Sequence, residues 1–169
     1  MSRTSWHPAF FGAIQLELDE YLDVLEFESE HQLTSEPLKI DVVIVKKRRN
    51  VVIRKNIARI FRQYNLIEYK SPSVSASIDD YCKIQGCCWL HSAFEHIDVK
   101  EMSVTMVVTK RPQKLLNYLK RQFGTTSAQQ GIYIIENNPI PTQIIISNEL
   151  SEEENLCLTS LNRDITSTR

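Results

Sequence analysis

Four glycines in 169 residues leave little room for a glycine-rich phosphate-binding loop, and none is present. A serine nucleophile elbow is missing as well. No apolar run approaches the ~20 residues needed to cross a bilayer. The opening Met1-Ser-Arg-Thr-Ser-Trp-His-Pro8 has no apolar signal core, so a cytoplasmic protein with no membrane partner is expected. Cys82, Cys87, Cys88 and Cys157 are too few and too crowded for a disulfide framework; three fall on one predicted helix, and reduced thiols are expected. None of the four histidines has His-x-x-x-His spacing. Cys87 and His91 are four apart, but no second pair completes a zinc site. A net charge of −1 argues against strong non-specific attraction to nucleic acid.

What is present fits one soluble domain over 1–150, followed by a short helical or disordered tail over 151–169. The length supports a real core, and 42% hydrophobic with 24% charged residues is ordinary for a globular chain. Apolar residues at helical spacing predict a helix over 9–25, with Pro8 at its start. Glu17 lies within or beside that apolar stripe, where it either serves a site or snorkels outward. Strands are expected at 25–33, 38–46, 66–72, 101–109, 131–136 and 142–147, with a short strand or hairpin arm at 51–53. Helices are expected from Ser77, as N-cap, to about Phe94, and from Pro112 to Gly124. Residues 151–154 resemble a further helix start. The order is that of a mixed α/β domain.

Two of these strands carry charge where an interior strand normally does not. Glu68 and Lys70, two apart, project to one face, while Ile67 and Tyr69 fill the other. Asp41 stands between Ile40 and Val42, which face away from it. Isolated carboxylates are costly to bury unless a cation accompanies them. The pattern suits metal-assisted hydrolysis of a phosphodiester, which needs oxygen ligands, an activated water and charge compensation at phosphate. Basic residues cluster at Lys46 to Arg49, continue through Arg54, Lys55, Arg59 and Arg62, and recur from Lys110 to Arg121. They form either solvated faces or a basic rim beside an acidic pocket.

Pro37-Leu-Lys-Ile-Asp41, then Ile67-Glu-Tyr-Lys70 and the following helix, resemble the PD-(D/E)XK nuclease superfamily. More narrowly, Asn65-Leu-Ile-Glu-Tyr-Lys-Ser-Pro72 followed by Asp80-Tyr-Cys-Lys-Ile-Gln85 is similar to bacterial proteins related to the transposase-associated nucleases of that superfamily. The core of the likeness covers roughly 9–110. It implies a restriction-endonuclease-like core, a central mixed β-sheet flanked by helices in α-β-β-β-α-β order. Asp41 and Glu68, with the Tyr69 backbone carbonyl, would hold Mg²⁺, with Mn²⁺ as substitute. Lys70 would position the attacking water. Glu17 matches the helix glutamate of many members, with Glu20 and Glu30 as the alternative acids to complete the site, and Gln85 would reach the substrate phosphate. The implied partner is nucleic acid, DNA first, and a homodimer is a common form in the superfamily. The proline that often precedes the aspartate lies four residues back here. Competing readings are a structural ion pair, a small-molecule hydrolase, and a catalytically inactive nuclease-fold binding or regulatory module.

Overall fold

The computed structural model of the chain describes residues 6–29 and 42–161. Asp41 and Glu30 therefore lie outside the described residues. Helix α1 (Trp6–Glu17) has Pro8 in its first turn and buries Phe10, Ala13 and Ile14. The helix expected to reach residue 25 stops at Glu17. Tyr21 N bonds Leu18 O at 2.9 Å and Val24 N bonds Tyr21 O at 3.0 Å, and these tighter turns reverse the chain into β1.

Strands β1 (Leu25–Glu28), β2 (Val42–Lys47) and β3 (Tyr64–Lys70) form an antiparallel meander. Helix α2 (Ile78–Glu95) then returns the chain to β4 (Met102–Val108), which runs parallel to β3. Helix α3 (Gln113–Gln122) leads to β5 (Thr125–Gln129), β6 (Ile132–Ile135) and β7 (Thr142–Ile146). The seven strands make one mixed sheet in the order β1-β2-β3-β4-β7-β6-β5, with β7 parallel to β4.

Strand alternation divides the core into two layers. On one face Val43, Val45, Ile67, Tyr69, Val107 and Ile145 pack under α1. On the other, Leu66, Val104, Met106 and Ile144 pack under Ile84 and Cys88 of α2 and Leu115 and Leu119 of α3. Parallel strands β3, β4 and β7 are covered on both sides, so their residues are almost all buried, polar ones included.

Three expectations differ from the structure. Residues 51–53 join no strand. Strand β5 has no counterpart in the sequence reading, because Thr-Thr-Ser-Ala-Gln is an exposed edge with no apolar alternation. The described part of the expected tail belongs to the core: helix α4 (Leu156–Ser160) packs against α1, with Leu158 and Leu161 buried. Among the described residues no helix is long and apolar enough to cross a membrane.

Buried polar groups pin the layers. Asn65 is wholly buried and uses both donors and its oxygen: Nδ2 reaches Val45 O (2.9 Å) and Arg62 O (2.8 Å), while Oδ1 accepts from Arg62 N (2.7 Å) and Ser103 Oγ (2.6 Å). Removing it strands several of these partners away from water. Asn65→Ala is expected to lower the urea unfolding free energy by about 2–4 kcal/mol. A loss under about 0.5 kcal/mol, the size of an ordinary surface change, would show that the network is not a constraint on the fold.

Candidate active site

Glu68 and Lys70 share the α2 face of β3, one register step apart on that side. Val42 of β2 stands across from Glu68 on one side and Met106 of β4 on the other. Apolar neighbours therefore flank the carboxylate, and its side chain is 6% exposed. Burial pushes the Glu68 carboxyl above its ordinary range, against the smaller opposing pull of Lys70.

Lys70 bridges two carboxylates. Its Nζ lies 3.1 Å from Glu68 Oε1 and 2.8 Å from Asp80 Oδ1. Burial acts to lower the ammonium pKa, but the bonds to Asp80 and Glu68 outweigh it and the net shift is upward. Lys70 is thus held protonated. The Asp80 carboxyl moves the other way: burial raises it, and Lys70 and Ser77 together bring it below its usual value.

Local folding explains why Asp80 is there. Ser77 is the N-cap of α2, and its Oγ accepts from Asp80 N at 3.1 Å. Asp80 Oδ2 accepts in return from Ser77 N and Ser77 Oγ, each at 2.8 Å. This reciprocal cap fixes the carboxylate at the first turn. Its other oxygen is then free to hold Lys70. In the sequence Asp80 opens the Asp80-to-Gln85 stretch of the resemblance and receives no role at the site. The Ser77-x-x-Asp80 cap, placed a short connection after the charged strand, was the signal for its second role.

Glu68 Oε2 is buried with no hydrogen-bond partner among the described residues. A buried, unsatisfied carboxylate oxygen is a hard donor of the kind Mg²⁺ takes. Around it stand the Asp80 carboxylate and the Lys70 ammonium, with the Lys83 charge farther out. Asp80 is not a second free ligand, because both of its oxygens are engaged. Among the described residues no set of three His, Cys, Asp or Glu side chains forms a metal site. Glu68 thus fits as one ligand of a hard cation. Tyr69 turns its ring to the α1 face, stacked on Phe10 at 4.7 Å and 7°.

Two other expected site residues are not brought to Glu68. Glu17 is buried on the α1 side, where its carboxylate accepts from Leu158 N (3.2 Å), Cys157 N and Asn155 Nδ2 (3.1 Å) and pairs with Lys55 Nζ (3.2 Å). It docks the start of α4, where unpaired backbone N–H groups take an anion. Gln85 is also buried; its Nε2 donates to Thr142 Oγ1 (2.9 Å) and its Oε1 accepts from Asn138 Nδ2 (3.1 Å). Five residues after Asp80 the helix has turned about 140° further round, so Gln85 anchors α2 to β7 instead. Glu20 is exposed on the turn after α1. Lys83 is exposed on α2, within electrostatic reach of Glu68.

The raised Glu68 pKa has a definite consequence for stability. Folding favours the protonated carboxyl, so that contribution is complete below the unfolded value near 4.5 and is lost as pH rises through the folded pKa. Above the folded pKa the ionised side chain is a net cost that glutamine does not carry. Glu68→Gln is expected to unfold at higher urea than the wild type at pH 7, with the gap narrowing as pH falls toward 4.5. A wild type that is the more stable at pH 7 would contradict the burial account.

Comparison with family models, with curated proteins and with solved structures finds no match to the chain.

Proposed function

We propose that the chain is a metal-dependent phosphodiester hydrolase acting on nucleic acid, built on a restriction-endonuclease-like core. The observation that carries this reading is the buried Glu68, with one oxygen unsatisfied, beside a protonated Lys70 at the end of an interior strand. The element order supports it: α1, an antiparallel β1-β2-β3 meander, α2, then β4 parallel to β3. That is the α-β-β-β-α-β order the resemblance implies.

In this reading Glu68, Asp41 and the Tyr69 carbonyl hold Mg²⁺, for which Mn²⁺ substitutes. When bound, the ion supplies a more acidic water and neutralises phosphate charge. Lys70 acts as a donor and not as a base, because Asp80 and Glu68 retain its proton. It orients the attacking water through a lone pair and stabilises negative charge as the phosphate is attacked. Asp80 keeps the ammonium from swinging away when Glu68 turns to a cation.

The charge on α3 supports nucleic acid as substrate, DNA first. Lys114, Lys120 and Arg121, with Ile78 of α2, line a shallow groove beside the α2 N-terminus. The helix has no acidic residue, and these three cations form no ion pair among the described residues. Arg111 differs, being bonded to Glu149 and Tyr133. Free cations beside the site suit a phosphate backbone.

The test is cleavage of single-stranded DNA, duplex DNA and RNA with Mg²⁺ or Mn²⁺, by wild type, Lys70→Ala and Lys70→Arg. Lys70→Ala should lose at least about 10²-fold in rate, the scale of losing one charge-stabilising donor, with its circular dichroism unchanged. Full activity in that variant would overturn the mechanism. No wild-type cleavage of any of these substrates would favour the inactive binding module.

A further inference from the structure

Helix α2 carries an outer face that the described residues leave uncovered. Between Lys83 and Glu95 there is no charged residue, an eleven-residue stretch from Ile84 to Phe94. One side of that stretch packs on the sheet through Ile84, Cys88 and His91. The other side is solvent-facing and apolar: Trp89 is 47% exposed, Leu90 39% and Phe94 57%, beside exposed Gly86 and Ala93. A helix that is apolar on all sides is ordinarily buried on all sides. Three large side chains together on one face are more than the scattered exposure common on soluble proteins.

We propose that this face is a homodimer interface in which α2 packs antiparallel on α2 of a second copy. The sequence of the face is self-complementary in that arrangement, as a two-fold interface requires. Gly86, Leu90 and Ala93 lie along its centre line, with Trp89 to one side and Phe94 to the other. With the two-fold axis near residues 88 and 89, Leu90 of each copy meets Gly86 of the other. Lys83 meets Phe94, a cation against an aromatic ring, and the two Trp89 rings meet at the axis. A Cβ added at Gly86 would touch nothing within 4 Å, so an open notch stands ready in each copy.

Area and chain connectivity favour a second copy as the occupant. Trp89, Leu90 and Phe94 expose on the order of 300 Å² per copy, given side-chain areas of roughly 150–250 Å². Two copies thus supply about 600 Å² from anchors alone, roughly half of the ~1,200 Å² at which stable interfaces begin. An interface built mainly on these anchors suits association at micromolar concentration rather than a tight dimer. Outside the described residues, 1–5 and 162–169 contain only Met1 and Ile165 as apolar residues. Ser29 and Val42, the described residues that flank 30–41, stand at the Glu68 end of β3. The Trp89–Phe94 half of α2 runs instead toward the opposite end, where β4 begins at Met102 beside Tyr64.

The interface does not depend on the hydrolase reading. Its test is light scattering or sedimentation of the full chain from about 5 to 100 µM, the range in which a micromolar dimer forms. The wild type should approach twice 19.6 kDa as concentration rises. Gly86→Lys and Leu90→Glu should each stay near 19.6 kDa throughout. Gly86→Lys should melt no lower than the wild type monomer, since the site is open and glycine is a poor helix former. A wild type of single-chain mass at the highest concentration would overturn the proposal, whatever else binds the face. So would a dimer that survives both substitutions.

Discussion

The ammonium of Lys70, held between Glu68 and Asp80, is the contact on which the geometry of the candidate site depends. It joins the end of an interior strand to the first turn of the helix that covers it. Each partner constrains another: Asp80 also closes the cap of α2, and Glu68 is fixed by its place between Val42 and Met106. Without the ammonium, two carboxylates would face each other in a partly dry crevice, an arrangement that favours proton uptake by one of them. The position of Lys70 is therefore enforced from both sides, which is what its proposed role at a reacting phosphate requires.

The sheet separates this chemistry from a second polar network. On the α1 side, Glu17, Asn155, Asn56 and Lys55 tie the C-terminal helix α4 to the loop before β3, and every one of their contacts serves packing. On the α2 side, Glu68 Oε2 is left unsatisfied. A fully bonded buried carboxylate and a partly bonded one thus sit on opposite faces of the same sheet. Burial alone does not distinguish them, since Glu17 and Glu68 are similarly enclosed. Their remaining hydrogen-bond capacity does.

Much of the fold was legible because its signals are local. Ser77 as a cap, Pro8 in a first turn, and the β-branched runs of β2, β4 and β7 each obey short-range rules. The pairing of Glu68 with Lys70 followed from strand alternation alone. What sequence could not resolve depends on contacts far apart in the chain. Glu17 resembles a site acid until its partners, about 140 residues later, are known. Gln85 lies on the correct helix but turns to Thr142. Strand β5 exists because β6 provides an edge to pair with, not because Thr125 to Gln129 read as a strand. Asp80 was missed as a partner of Lys70 because a cap explains it completely at the level of its own helix.

The central claim is that Glu68 is one ligand of a divalent cation shared with Asp41. Calorimetric titration of Mn²⁺ into the wild type, Glu68→Gln and Asp41→Asn tests it without knowledge of the substrate. The account predicts one bound ion in the wild type and loss of binding in both variants, with all three proteins folded. Binding unchanged in both variants, or none in the wild type, would contradict it.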